Sequence, residues 1–252
     1  MKNKLLASIL GSLFALSFAT AHADDKAGPA HWGYEGKGAP AKWAELDAAN
    51  QACKISKEQS PIDIVSKDAK KADLPALDFG YKAGSAEVIN NGHTIQVNLP
   101  AGSTLKVGSD EAALLQFHFH TPSEEKINGA NFPLVAHFVH KSADGKLFVV
   151  AVLFKTGKEN AALAPVFAAL PAEGKPNPLA SFDPAAVLPA ERAYYRFMGS
   201  LTTPPCSDGV RWQVLKQPVE LSKAQLAAFK KMYKMNARPV QPLNGRVVEV
   251  SK

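Results

Sequence analysis

Beyond residue 23 the sequence lacks any apolar run of the roughly 20 residues that a membrane-spanning helix needs. The one long apolar run, residues 5–19, follows two lysines and is interrupted by serines and a glycine. Residues 21–23 read Ala-His-Ala, the small-x-small pattern at which signal peptidase cleaves. We therefore predict a signal peptide over residues 1–23 rather than a membrane anchor. The mature chain is then soluble and periplasmic or secreted.

The sequence also lacks a concentrated basic region and any linker of low complexity. Its net charge is +6, and it falls to +4 when Lys2 and Lys4 leave with the signal peptide. The lysines are scattered without interleaved aromatic residues, unlike the basic stripe of a nucleic-acid-binding protein. Residues 161–189 are rich in proline and alanine, and we interpret them as packed loops and short helices. We expect one domain over residues 24–252 with no nucleic-acid or membrane partner.

Cysteine is scarce, with Cys53 and Cys206 alone in 252 residues. Neither has a CxxC neighbour, which argues against a zinc site built from thiolates. An exported chain meets oxidising conditions, under which a pair of thiols usually closes. We therefore predict a disulfide between Cys53 and Cys206.

The middle of the chain has the pattern of β-structure. Apolar and polar residues alternate over residues 86–99 around a turn at Asn90-Asn91-Gly92. One helix is predicted after Ser222, which can serve as its N-cap. Further strands, short and rich in β-branched or aromatic residues, are predicted at residues 113–120, 134–140, 147–154 and 211–215.

Residues 116–120, Gln-Phe-His-Phe-His, alternate two kinds of side chain. In a strand this alternation places His118 and His120 on one face and the two phenylalanines on the other. His137, on a neighbouring strand, can complete a site of three neutral ligands, which leaves a fourth position open as in catalytic zinc. Spacing alone leaves both a catalytic and a non-catalytic metal site open. His140 falls on the opposite face, so we expect it to be a buried hydrogen-bonding residue.

Several blocks of sequence together resemble the α-class carbonic anhydrases, in particular their exported bacterial members. They occur in the family's order and cover nearly the whole mature chain. This resemblance implies a mixed, β-dominated fold: a single domain around a large, twisted, mostly antiparallel central sheet with a few short peripheral helices. The blocks are HWGY at 31–34, QSPID at 59–63, NGH at 91–93, QFHFH at 116–120, SE at 123–124, HFVH at 137–140, SLTTPP at 200–205 and RPVQPLN at 238–244.

The resemblance implies reversible hydration of carbon dioxide to bicarbonate, by attack of a zinc-bound hydroxide and proton transfer through a histidine. It makes His118, His120 and His137 the Zn²⁺ ligands. Thr202 would accept a hydrogen bond from the hydroxide and donate one to Glu124, and His93 would carry the proton. The remaining matches are substrate-binding residues Val139, Val149, Leu201, Thr202, Thr203 and Trp212, ligand partners Gln116 and the Asn236 carbonyl, and water-organising residues Tyr34 and Asn91.

At one position the chain departs from the family. Val135 stands where relatives usually have a glutamate that accepts a hydrogen bond from the third ligand. Valine cannot accept it, so a water or another carboxylate must substitute, or zinc must bind less tightly. Glu125, where many relatives have histidine, is one alternative acceptor.

The resemblance also bears on backbone geometry, assembly and competing functions. The peptides Ser60–Pro61 and Pro204–Pro205 match positions that tend to be cis, and a homodimer is expected because exported bacterial relatives are often dimers. Two other functions remain open: a zinc-free binding protein on the same fold, and a metal-dependent esterase. Zinc-free relatives typically lack a ligand histidine, and none is missing here.

Overall fold

The computed structural model describes residues 31–168 and 170–252. The predicted signal peptide and the first residues of the predicted mature chain lie outside this part. Of the described residues, 39% lie in strands and 16% in helices. The strands are β1 (Asp63–Ile64), β2 (Lys70–Ala72), β3 (Leu77–Gly80), β4 (Gly84–Asn90), β5 (Ile95–Asn98), β6 (Thr104–Val107), β7 (Asp110–His120), β8 (Lys126–Ile127), β9 (Ala130–Asn131), β10 (Leu134–Ser142), β11 (Leu147–Thr156), β12 (Asn177–Phe182), β13 (Tyr194–Ser200), β14 (Asp208–Leu215), β15 (Val219–Leu221) and β16 (Glu249–Ser251).

Among the described residues the helices are short, as predicted, and the longest of them has ten residues. The α-helices are α1 (Trp43–Leu46), α2 (Ala52–Ile55), α3 (Ala164–Ala168) and α4 (Lys223–Met232), and 3₁₀ turns occur at Gly36–Gly38, Pro40–Lys42, Ala48–Asn50 and Pro184–Val187.

A 13-stranded sheet organises the described part of the chain, in the order β12-β4-β5-β7-β10-β11-β14-β13-β16-β2, with β3, β6 and β15 paired at its sides. Most neighbours are antiparallel, whereas β11 pairs in parallel with β14 and β15, and β16 with β2. A second sheet of three strands has the order β1-β8-β9. This architecture confirms the β-dominated fold expected from the sequence.

Both faces of the central strands are buried. Phe117, Phe119 and Phe138 point into one apolar cluster, which Phe167 of α3 and Phe229 of α4 cover. Each fully buried phenylalanine contributes about 1.5–3 kcal/mol of hydrophobic free energy. The side chains that alternate with these point to the other face of the sheet and form a second apolar cluster. His118, His120 and His137 lie on this second face.

The predicted strands are confirmed, with ends that differ by a few residues. The helix after Ser222 is confirmed as α4, and Ser222 and Gln225 form a capping box at its start. Of the sixteen strands in the described residues, ten were not predicted. Eight of these have only two to four residues, whereas β12 and β13 are longer. β12 falls within residues 161–189, which we interpreted as loops and short helices. β12 contains Pro178 and lies at the edge of the sheet, where proline is tolerated because one side of the strand makes no ladder hydrogen bonds.

The disulfide between Cys53 and Cys206 is present, as predicted. It links α2 to the loop between β13 and β14. The cis peptides at Ser60–Pro61 and Pro204–Pro205 are also confirmed, and Thr121–Pro122 is a third cis peptide that was not predicted. In the described residues, no helix has the length and apolar character needed to cross a membrane.

Candidate metal centre

Three histidines meet on one face of the sheet. His118 of β7 and His137 of β10 are directly opposite each other in the antiparallel ladder, and His120 lies two residues along β7 on the same face. The ring centroids are 4.8–5.6 Å apart. One nitrogen from each ring lies within 4.8 Å of the other two. Among the described residues this is the one group of three or more histidine, cysteine or acidic side chains that satisfies metal-ligand spacing.

Each imidazole is held through its other nitrogen. His118 Nδ1 lies 2.9 Å from Gln116 Oε1, and His120 Nδ1 lies 2.7 Å from the backbone oxygen of Asn236. His137 Nε2 lies 3.2 Å from Glu125 Oε2. These contacts orient the rings and leave Nε2 of His118, Nε2 of His120 and Nδ1 of His137 as the converging atoms.

The converging nitrogens fit a zinc ion. His120 Nε2 is buried and has no hydrogen-bond partner among the described residues, which would cost free energy if nothing bound there. Three neutral nitrogen ligands whose other nitrogens are hydrogen-bonded form the donor set of catalytic zinc. The structure thus brings together the three ligands predicted from the sequence, together with both predicted partners, Gln116 and Asn236.

Burial keeps two of the rings in the neutral form that binds metal. It lowers the pKa of His118 to about 3, and the neighbouring His137 acts in the same direction. The pKa of His120 is lowered well below its usual value for the same reasons. Burial also lowers the pKa of His137, but the carboxylates of Glu125 and Glu124 outweigh burial and raise it overall.

Glu124 lies beside the histidines and is buried with them. Its Oε1 accepts a hydrogen bond of 2.8 Å from the backbone N–H of Arg238, and the hydroxyl of Thr202 bonds to the same carboxyl. Burial raises the pKa of Glu124 to about 7, Glu125 adds to this, and His137, Thr202 and Arg238 oppose it. The charge of a bound dication would lower this pKa. Arg238 was not identified from the sequence, although it is buried and holds Glu124 through its backbone.

A cavity of about 140 Å³ opens beside His118 and His120. It has room for a few water molecules. The predicted residues Tyr34, Asn91, His93, Gln116 and Thr203 line it, and so do three residues that sequence reasoning missed, Trp32, Thr94 and Gln96.

Gln96 shows why residues of this cavity were missed. It lies opposite His118 in the ladder between β5 and β7. The alternation of residues 94–99 predicts which residues share a face of β5. It does not predict the register that brings Gln96 beside a metal ligand.

Three residues of the predicted apolar wall lie in a row across neighbouring strands. Val139 of β10, Val149 of β11 and Trp212 of β14 lie opposite one another, and Gln116 of β7 continues the row. Val149 and Trp212 are buried, whereas Val139 and Leu201 are half-buried against the same apolar cluster. None of the four apolar residues lines the cavity that contains His93, whereas Gln116, which lies opposite Val139, does.

Trp212 also contacts the metal centre directly. Its ring meets that of His137 edge to face, with centroids 4.9 Å apart, and its Nε1–H donates to the backbone oxygen of Ser200 at 3.1 Å. The indole therefore packs against a ligand while its polar atom remains satisfied.

His93 lies in the turn between β4 and β5. Asn91 Oδ1 accepts hydrogen bonds from the backbone N–H groups of His93 and Thr94, both at 3.0 Å. The imidazole is stacked between Trp32 and His31. Partial burial, with a smaller contribution from His31, lowers the pKa of His93 to about 4.

Comparison with known proteins places the chain in a family. The family model described as eukaryotic-type carbonic anhydrase matches residues 38–252. A carbonic anhydrase of Pectobacterium carotovorum is 44% identical over 98% of this chain and 99% of its own length. One of Neisseria gonorrhoeae is 45% identical over 86% of this chain and 87% of its own.

Two solved structures are also similar to this chain. The α-carbonic anhydrase of Thermovibrio ammonificans, in complex with sulfanilamide, is 48% identical with a TM-score of 0.85, covering 89% of this chain and all of that one. Dioscorin in complex with ascorbate is 31% identical with a TM-score of 0.82, covering 88% of this chain and 98% of that one. The matched family model and the identities over nearly full length establish that this chain belongs to the eukaryotic-type, or α-class, carbonic anhydrase family.

Proposed function

We propose that this protein catalyses the zinc-dependent, reversible hydration of carbon dioxide to bicarbonate and a proton. The observation that carries the proposal is the histidine trio: one nitrogen of each imidazole converges with the others, while the opposite nitrogen of each ring is held by Gln116, Asn236 or Glu125. Membership of the carbonic anhydrase family supports the same conclusion.

The three histidines would hold Zn²⁺ and leave one position for solvent. When bound, zinc supplies the Lewis acidity that lowers the pKa of a water to about 7, as is established for carbonic anhydrases. The protein supplies a rigid set of ligands, because each ring sits on a central strand and its rear nitrogen already has a partner.

Thr202 and Glu124 would orient the attacking oxygen. A threonine hydroxyl has one proton to donate. Since Thr202 gives that proton to Glu124, its oxygen can only accept a hydrogen bond from whatever occupies the open metal position. A ligand that carries no proton is therefore disfavoured there, and the lone pair of the nucleophile is directed towards the substrate.

The substrate would lie against the apolar row. Carbon dioxide has no net dipole and gains little from polar groups, so an apolar wall beside the metal suits it. Val139 and Leu201 keep part of their surface exposed, while Val149 and Trp212 form the buried layer behind. Thr203, in the adjacent cavity, would place a polar group at the edge of this wall.

His93 would carry the proton from the site to buffer. It lines the same cavity as His118 and His120, where Tyr34 and Asn91 can hold bridging waters. A carrier works best with a pKa near the operating pH, whereas stacking and partial burial keep the pKa of His93 near 4. We therefore propose that the ring leaves the stack on Trp32 when it accepts the proton.

Stopped-flow measurement of carbon dioxide hydration tests the function. We expect a fast rate with zinc, loss of the rate after treatment with a chelator, and recovery when zinc is added back. A protein with a full complement of zinc and no hydration above the uncatalysed rate would overturn the proposal. Retention of ester hydrolysis alone would instead favour the esterase, and absence of bound zinc would favour a binding protein.

We further propose that residues 1–23 direct export and that residues 24–252 form the catalytic domain in the periplasm or outside the cell. The disulfide supports this, because disulfides persist in oxidising compartments. N-terminal sequencing of the protein from a periplasmic fraction should begin at Asp24.

We also propose a homodimer, because exported bacterial relatives are often dimers. Sedimentation velocity tests it, and a single species of about 25 kDa, the mass of one mature chain, would exclude it.

A further inference from the structure

His137, the third ligand, has no hydrogen-bond acceptor at position 135 of its own strand, where relatives usually have a glutamate. Val135 lies two residues before His137 on β10, so both side chains point to the same face. Val135 is fully buried in the second apolar cluster and has no polar atom in its side chain. The hydrogen on His137 Nε2 therefore needs an acceptor from elsewhere in the fold.

Glu125 provides that acceptor from the loop after β7. Its Oε2 lies 3.2 Å and its Oε1 3.1 Å from His137 Nε2. Glu125 is fully buried, and Oε1 has no hydrogen-bond partner of good geometry among the described residues. A buried carboxylate is costly unless it is paired, and His137 is the group that pairs with this one.

The loop that carries Glu125 is itself held in place. Ser123 Oγ donates to the backbone oxygen of Glu125 at 2.7 Å, and Ser123 N donates to the backbone oxygen of Phe132 at 2.8 Å. On the other side, Lys126 N donates to the backbone oxygen of Ile62 at 3.2 Å. These bonds flank Glu125 on both sides, so its carboxylate meets His137 in a defined position.

We propose that Glu125 is the positioning residue for the third zinc ligand, taking over the task that Val135 cannot perform. By accepting the hydrogen of Nε2, it keeps His137 in the form whose Nδ1 lone pair faces the metal, and it fixes the rotation of the ring. The inference rests on the proposed zinc site. It assigns the supporting carboxylate to the residue next to Glu124, so that two adjacent acids have separate tasks.

Zinc affinity is the primary test, measured by competition with a chelator at pH 8. Glu125→Leu removes both acceptor oxygens and keeps the bulk, and we expect the zinc Kd to rise about 10- to 100-fold. Glu125→Gln keeps one acceptor without the charge and should fall between the parent and the leucine variant. A matched control is Val152→Ala, a fully buried residue on the opposite face of the sheet, which should lower the melting temperature and leave the zinc Kd within about twofold.

Recovery of zinc affinity in a second variant shows whether Glu125 positions His137 or only stabilises the fold. The double variant Glu125→Leu/Val135→Glu moves the carboxylate onto β10, two residues from His137, and should recover most of the lost affinity. The visible absorption of the Co²⁺-loaded protein should change in the single variant and return towards the parent in the double variant.

The outcomes decide the inference. A Glu125→Leu protein whose zinc Kd stays within twofold of the parent overturns it, as does a double variant that binds zinc no more tightly than the single one. If Glu125→Leu does not fold, Glu125→Gln decides: a threefold or larger rise in Kd supports the assignment, and an unchanged Kd overturns it. Affinity is measured without turnover, so a parent that binds zinc tightly but hydrates no carbon dioxide would overturn the proposed function alone.

Discussion

The imidazole of His93 lies flat against the indole of Trp32, with ring centroids 3.5 Å apart and planes inclined by 8°. The stack removes part of the imidazole from water, and this desolvation is the main cause of its low pKa. Trp32 covers one face of the ring, so we expect it to supply part of this desolvation.

Replacement of Trp32 should raise the pKa of His93. In Trp32→Ala we expect a rise from about 4 towards the usual value of about 6.5, because the ring becomes solvated. Histidine ¹H–¹⁵N NMR across a pH titration measures it. Trp32→Phe, which keeps a stacking partner, should stay close to the parent, and a pKa near 4 in the alanine variant would contradict the prediction.

The same shift predicts a pH dependence of stability. The pKa of His93 is lower in the folded state than in the unfolded state, so folding favours the neutral ring. The contribution of His93 is therefore fully present above about pH 6.5 and is lost as the pH falls towards about 4. Comparing melting temperatures of the parent and Trp32→Ala at pH 7.5 and pH 5 checks it. The difference between the two proteins should be smaller at pH 5.

Replacement of His93 by alanine should slow proton transfer and leave the carbon dioxide step nearly intact. We expect kcat to fall at low buffer concentration while kcat/KM stays close to the parent, because only the transfer to solvent is affected. Added imidazole should restore kcat. Equal loss of kcat and kcat/KM, unrescued by imidazole, would show that His93 is not the carrier.

Replacement of Thr202 by valine should lower kcat/KM by on the order of 100-fold, because it removes the hydroxyl that orients the nucleophile. Valine has nearly the same shape, so folding and zinc content should persist. Thr202→Ser retains the hydroxyl and should keep most of the activity. A valine variant within threefold of the parent, with full zinc content, would contradict the role of the hydroxyl.

Removal of the disulfide should destabilise the protein. Cys53 and Cys206 are 153 residues apart in sequence, and closing so long a loop contributes about 4 to 5 kcal/mol in the chain-entropy model. Urea unfolding of Cys53→Ser/Cys206→Ser, compared with the parent with and without reductant, measures the difference. The reduced parent should resemble the double variant. A loss below about 1 kcal/mol would show that the loop is already constrained in the unfolded state.

The sequence predicted the site better than it predicted the sheet. The alternation over residues 116–120 predicts that His118 and His120 share a face, because side chains of a strand alternate with a period of two. Of the longer strands, β12 and β13 escaped prediction. β12 contains a proline and pairs with β4, more than 80 residues earlier in the chain, so its pairing is not a local property. β13 pairs with β14, the next strand along the chain, and also with the distant β16.

The residues that surround the three histidines also show how little a local sequence pattern predicts about contacts between distant segments. Gln116 was predicted from the family resemblance, and the alternation of residues 116–120 agrees, because it places Gln116 on the same face of β7 as the histidine it contacts. Trp32, Gln96 and Arg238 were not, because they reach the site from β5 and from segments distant in sequence. Nothing in their local pattern marks them as neighbours of a metal centre.

What the sequence determined by itself was the chemistry: which residue types are present, which side chains share a face of a strand, and which family the blocks resemble. The sequence showed that Val135 could not supply the acceptor behind His137 and offered Glu125 as one alternative, and the tertiary structure decided that the carboxylate comes from Glu125. The physical reason is that alternation and capping depend on neighbours along the chain, whereas strand register and loop placement depend on packing between segments far apart in sequence.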